Sequence, residues 1–376
     1  VDKLKAAIQG YNAFGYPFFM DTPVFRRVLA LRNKRFKHKI LLANLRDCAA
    51  NAHLELALLK AAAAGGAALD VAHAFERDHG LPRPYAGGFR VKYSGMDNLK
   101  TFAGLTDYSA VLLLDLPYKD EVLPAWLWLA FRAGGAKHFA ANDNLLQRGH
   151  FFAMDMAEEL KVFRAFKTAT VVDQHSFGLW GRFGRPGKFL ARPLAVDCEH
   201  YAPSAGAAGN YVLSFGRAGR DYAALVKAAA FFPTGLKLKL RTDLPVAVPA
   251  ALKSRVEIRP EPEDLNEMKT LISGAAAVVL PVKKDAGNPG AGLTAALLAM
   301  AMGKPPVIGR NPTVARYLED GRDAFLYAAP EPKKIAAAVK RALAAGPAAG
   351  AAARRSALAR FDLNAFAEEL RRRILR

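Results

Sequence analysis

The residues best suited to chemistry in this chain lie where apolar runs give way to helical patterns. Between Asn288 and Arg310 the sequence reads NPGAGLTAALLAMAMGKPPVIGR, a glycine-rich loop opening an apolar helical stretch. Backbone N–H groups at Gly292, Leu293 and Thr294 would lack intrahelical partners there, and the aligned peptide dipoles add about half a positive charge. Such a helix start suits an anion, and two linked phosphates are its natural guest. A glycine-bearing turn also serves plain close packing, so the loop alone does not define a site.

Cationic groups that would complete it stand in YVLSFGRAGRDYAALVKA, where Arg217 and Arg220 fall in the turn after an apolar strand. Ligands of open α/β sheets bind outside the carboxyl ends of the strands, so both arginines sit where a ligand is expected. A planar guanidinium fork matches phosphate oxygens and stabilises charge developing on a leaving diphosphate. Two further titratable groups end strands in the first half, Asp143 in KHFAAND and His175 in TATVVDQHS. Asp143 within reach of an acceptor hydroxyl would act as general base, or it caps the turn that follows. His175 faces the same acceptor or is a satisfied strand-end histidine.

Short apolar runs position these groups. Strands are predicted over 39–45 (KILLANL), 68–75, 109–116, 137–143 and 168–176, and a second series over 211–217, 235–241, 254–260, 275–282 and 305–309. Helical patterns separate them, and strands apolar on both faces predict parallel sheets covered on both sides. The Pro-, Gly- and Ala-rich stretch 184–209 reads as a linker between domains. The alanine tract 342–353 reads as plain surface helix, broken at Gly346 and Pro347.

AMAMGKPPVIG followed by YLEDGRDAFLY resembles the C-terminal signature of the large retaining group 1, family 4-like glycosyltransferases of GT-B fold, in which a donor-binding helix ends in a Gly-Lys-Pro turn. YVLSFGRAGRDYAALVKA is similar to the first strand, Gly-Arg turn and helix of that family's C-terminal domain, and RPLAVDCEHYAP to the segment before it. Together these cover about residues 190–370, in the family's order. In the first half, AKHFAANDNLLQRGH falls where members carry a His-Asn-Leu-Leu stretch. Asp143 stands at the histidine, with Asn144, Leu145 and Leu146 matching. VVDQHSFGLWGRFG resembles the next strand with its His-Ser end, here His175 and Ser176.

The resemblance implies an α/β fold of GT-B type, two Rossmann-like domains with parallel sheets facing across a cleft. The expected boundaries are a basic and aromatic extension over 1–38, an acceptor domain over 39–190 and a donor domain over 191–376. It further implies sugar transfer from a nucleoside-diphosphate sugar to a hydroxyl acceptor, with retention, without metal or other cofactor, and in cell-surface polysaccharide or glycoconjugate synthesis. Arg217, Arg220, Gly290, Gly292, Leu293 and Thr294 would hold the donor, and Asp143 and His175 would face the acceptor. One departure stands out. The family brackets this loop with two glutamates, and here Gly290 and Leu298 occupy their positions, with no acidic residue between Ala286 and Thr313. Other groups such as Asp285 hold the donor, or the pocket is reshaped for a different nucleotide or lipid, or the chain is a non-catalytic binding protein of the same fold.

Composition bounds these readings. Hydrophobic residues make up 52% and charged residues 23%, ordinary globular usage that excludes global disorder. A net charge of +20 favours acidic partners. The densest basic run, RRVLALRNKRFKHK, starts at Arg26 and ends at Lys39 without an acid. With the phenylalanines before it, this run suits peripheral contact with an anionic membrane and a lipid-linked acceptor, or it stays solvated while the aromatics pack. No nucleic-acid reader motif is present. Cys48 and Cys198 have no zinc-type spacing, and the absence of a spanning run or signal pattern leads to an expected cytoplasmic location, peripheral at the inner membrane face.

Overall fold

In the computed structural model the described residues are 194–374, without 205–208, 218, 263–264 and 284–289, together with six strands ahead of them. Those strands are β1 (His38–Asn44), β2 (Ala67–His73), β3 (Ala110–Leu114), β4 (Lys137–Ala141), β5 (Thr168–Val171) and β6 (Phe189–Ala191). They form one sheet in the order β2-β1-β3-β4-β5-β6, parallel throughout. The first five match the predicted runs to within a few residues. β6 lies inside the stretch predicted as a linker.

The chain divides into two compact units, Val1–Pro193 with Leu363–Arg376, and Leu194–Asp362. The second unit carries strands β7 (Tyr211–Phe215), β8 (Lys237–Arg241), β9 (Val256–Arg259), β10 (Ala277–Leu280), β11 (Pro306–Gly309) and β12 (Phe325–Tyr327). Its helices are α1 (Tyr222–Ala228), α2 (Leu265–Gly274), α3 (Leu293–Ala301), α4 (Val314–Tyr317) and α5 (Pro332–Arg360), and α6 (Leu363–Ile374) groups with the first unit. The sheet order is β12-β11-β10-β7-β8-β9, again all parallel.

Alternation along each strand divides the core between the two faces of this sheet. Val212, Leu238, Leu240, Val279 and Val307 join one buried cluster with Leu225 of α1 and Ile335 and Val339 of α5. Leu213, Val278, Leu280 and Ile308, of the opposite parity, are buried as well. Helix α3 is apolar nearly all round, as a helix enclosed by protein should be. Only Thr294 and Leu298, one turn apart, are not buried in it.

α3 ends as the Gly-Lys-Pro turn requires. Gly303 takes φ +69°, its N–H donates to the Met300 carbonyl at 2.9 Å, and the Lys304 N–H donates to Ala299 at 2.9 Å. This is a Schellman closure, which satisfies carbonyls that the helix end would otherwise orphan. Arg354 of α5 adds a second closure, donating to the Ala301 carbonyl at 2.5 Å, Tyr201 at 2.9 Å and Cys198 at 2.8 Å. Its charge also complements the negative end of the α3 dipole.

Two sequence expectations are corrected here. The stretch predicted as a linker is partly core, since Leu194, Val196, Cys198 and Tyr201 are buried. Val196 pairs in parallel with Asp362, and its N–H donates to the Phe361 carbonyl at 2.8 Å. Flanking prolines and glycines masked the short apolar LAV between them. The alanine tract is likewise no surface helix, because Ala342, Ala349 and Ala353 are buried. Its break falls where predicted, at Gly346 with φ 60° and ψ −154°, followed by Pro347.

Beyond that break the residues are small because α5 meets the end of α3 backbone to backbone. A Cβ on Gly350 would stand 2.2 Å from the Gly303 carbonyl oxygen, which cannot move aside as a flexible side chain would. Gly350→Ala is therefore expected to cost about 1–3 kcal/mol, the range for overpacking, and to lower Tm by several degrees. Unfolding of the full chain followed by circular dichroism checks this, and an unchanged Tm would contradict the close approach.

Candidate donor-side anion site

In the second sheet the chain runs from β7 outward to β8 and β9, then returns past β7 to β10. The carboxyl ends of β7 and β10 therefore diverge, and such a switch point is where open α/β sheets bind ligands. The loops leaving the two strands are laced together. The Asp221 N–H donates to the Pro281 carbonyl at 2.5 Å, and the Lys283 N–H to Gly219 at 2.8 Å. Arg220 and Val282 form an antiparallel bridge between them. Asp221 then starts α1 by accepting the Ala224 N–H at 3.0 Å.

Arg220 is the centre of this arrangement. It is buried, in contrast to a solvated loop arginine, and its Nε donates to the Phe215 carbonyl at 3.2 Å. Burial pulls its pKa below the ordinary arginine value. The guanidinium spans the switch point. A Cβ on Gly216 would lie 2.8 Å from Nη2, and one on Gly292 would lie 3.4 Å from Nη1. Both glycines have positive φ, +98° and +87°, a backbone conformation in which any side chain would be strained. Tyr222 and Tyr327 support the two strand ends. Tyr222 donates to the Gly216 carbonyl at 2.6 Å, while Tyr327 donates to Leu280 at 2.9 Å and accepts the Val282 N–H at 3.0 Å. Burial raises the pKa of both phenols, so they stay protonated and able to donate.

Arg217 takes a different position. Its side chain is 66% exposed and paired with Asp243, just past β8. Glu261, just past β9, completes the group. Burial lifts its carboxyl above the ordinary glutamate range, opposed by Arg217 and Arg220 and reinforced by Asp243.

The glycine loop lies on the other side. Gly292 is the N-cap of α3, with no side-chain cap, and Gly290 and Gly292 are half-buried. The Leu293 N–H donates to the Gly290 carbonyl at 3.0 Å, so of the three amides expected to face an anion this one is engaged within the loop. Leu293 is buried, and Thr294 is exposed beside it. Leu298 is half-buried one turn further on. The site thus brings Arg220 together with Gly292, and Arg217 with Asp243. Asp143, His175, Asp285 and residues 26–37 of the basic run lie outside the described residues. Among those described, no group of three or more His, Cys, Asp or Glu has an arrangement able to hold a metal ion.

The fold is of GT-B type. Residues 235–345, within the second unit, match the family "Glycosyl transferases group 1". Among solved structures, Anabaena Alr3699/HepE in complex with UDP and glucose is 15% identical, with TM-score 0.69 over 90% of this chain and 99% of that one. Sucrose-phosphate synthase from Thermosynechococcus elongatus is 15% identical, with TM-score 0.63 over 89% of this chain and 97% of its own. WaaG, a glycosyltransferase involved in lipopolysaccharide biosynthesis, is 14% identical, with TM-score 0.58 over 89% of this chain and 99% of its own. No curated protein sequence matches.

Sequence reasoning passed over Asp243 and Glu261. Each stands two residues past a strand's carboxyl end, and the rule that pointed to Arg217 would have reached them. Because burial raises the Glu261 pKa, folding favours the protonated acid. That contribution is complete below the ordinary value of about 4.3 and is lost as pH rises through the lifted one. Glu261→Gln is therefore expected to melt above the wild type near neutral pH, by about one to a few degrees, with the gap closing as pH falls toward about 4. A lower Tm for the variant in neutral buffer would show that the carboxylate stabilises the fold instead.

Proposed function

We propose that this chain transfers a sugar from a nucleoside-diphosphate sugar to a hydroxyl acceptor, retaining anomeric configuration and using no metal. The observation that carries this reading is the Arg220 guanidinium, buried at the switch point with the start of α3 on one side and the Gly216 turn on the other. A leaving diphosphate gains negative charge as the glycosidic bond breaks. Fixed cations and a helix start in a partly dehydrated site stabilise that charge without reorganising. Exposed Arg217 exchanges Asp243 for phosphate oxygens, and Thr294 adds its amide and hydroxyl. The neighbouring HepE was solved with UDP and with UDP-glucose, which supports a nucleotide-sugar donor.

On the acceptor side, Asp143 would take the hydroxyl proton and His175 would orient the acceptor. The acceptor is lipid-linked in this reading, and the basic run from Arg26 to Lys39 meets anionic head groups at the cytoplasmic face in cell-surface glycan synthesis. Among the described residues no helix is long and apolar enough to cross a membrane. A second reading, a non-catalytic binding protein, is favoured by Gly290 and Leu298, which carry no carboxylate toward a donor.

Thermal shifts of the full chain with UDP, GDP and ADP separate these readings. A nucleotide at a hundred times its Kd adds about 2.7 kcal/mol of stability. Arg217→Ala, at an exposed position, is expected to fold normally and weaken that nucleotide about tenfold or more, as loss of a charge-assisted contact should. No shift with any nucleoside diphosphate would remove the donor reading. Binding without sugar transfer to any acceptor would leave the non-catalytic one. For the membrane contact, sedimentation with anionic liposomes should fall when the basic run is neutralised, and an unchanged bound fraction would refute it.

A further inference from the structure

A nucleoside diphosphate seated at the β7–β10 switch point brings ribose hydroxyls that need acceptors as they leave water. The two sides of the switch point differ in what they offer. On the α3 side, the helix positions that are not buried are Thr294 and Leu298, and no described residue from 290 to 309 is acidic. On the other side the ends of β8 and β9 are joined, the Thr242 N–H donating to the Arg259 carbonyl at 3.0 Å. That bond sets Asp243 and Glu261 just beyond two adjacent strand ends, beside the Arg217 turn of β7.

The three strand ends thus carry a cation and then two carboxylates. Asp243 reaches across to Arg217, and Glu261 lies within the electrostatic reach of Arg217, Arg220 and Asp243. An ionised carboxylate only accepts hydrogen bonds and has about four lone-pair sites. One held by a guanidinium keeps sites for further donors, and hydroxyls are donors of the right kind. When phosphate draws Arg217 away, Asp243 is left with acceptor capacity facing the same ligand.

We infer that Asp243 and Glu261 accept the ribose 2′- and 3′-hydroxyls of the donor nucleotide, so that its nucleoside half lies over β8 and β9 and not along α3. This rests on the donor reading above. It gives Glu261 a reason to exist where a half-buried acid does not help folding, since sites often retain groups that the fold alone would not select.

Titration calorimetry on the full chain tests it. UDP, GDP and ADP are measured first, then the 2′,3′-dideoxy form of the tightest binder, with inorganic pyrophosphate as a probe of the phosphate seat. The wild type is expected to lose about tenfold to a hundredfold in affinity when the hydroxyls are removed. In Asp243→Ala/Glu261→Ala, which removes both acceptors where an amide would keep one, the ribonucleotide falls to the level of the dideoxy form, so discrimination disappears while pyrophosphate binds as well as before or better. A general structural defect would weaken all three ligands together, and that result overturns the assignment. Undiminished preference for the ribonucleotide in the double variant, or equal binding of both forms by the wild type, overturns it while leaving the donor reading in place. Failure of the wild type to bind any of the three nucleotides removes both.

Discussion

Burying a guanidinium is the constraint around which the second unit is arranged. A charge removed from water is tolerated only when surrounding groups replace its hydration. Arg220 meets that demand at the one place in the sheet where two neighbouring strands send their chains apart. The Phe215 carbonyl accepts from it, and the phenols of Tyr222 and Tyr327 brace the loops on either side.

That arrangement demands close backbone approach, which explains where this alanine-rich chain uses glycine. Gly216 and Gly292 leave room for the Arg220 nitrogens, and Gly350 leaves room for the Gly303 carbonyl. The second contact lies at the far end of α3 from the first. One end of the helix is therefore set against the arginine, and the other is locked by its Schellman turn and by Arg354. Held at both ends, α3 presents Thr294 and Leu298 in a fixed orientation. Rigid placement of this kind lets a site stabilise developing charge without first reorganising.

Much of this was legible in the sequence. Apolar runs such as AVVL and PVIG mark strands covered on both faces, and nothing outside the run is needed to read them. The turn at Gly303 and the break at Gly346 and Pro347 follow from local backbone chemistry. Arg217 and Arg220 were reachable because a strand followed by a helix says which end of the strand faces a ligand. β6, β12 and the buried LAV near Val196 were missed because each is three residues long, too short to show a period beside prolines and turns.

The sequence by itself determined two things: the alternation of strands and helices, and the residue types at strand ends. Both are encoded within windows of ten or so residues. The tertiary structure decided which of two similar arginines is buried and which stays in solvent beside Asp243. It also decided that the Leu293 amide is engaged within its own loop, and that Glu261 joins Arg217 across two strand ends. The physical reason is that burial and charge pairing depend on neighbours brought together by strand order: residues 217, 243 and 261, and separately 220 and 292, become neighbours only once the sheet has formed.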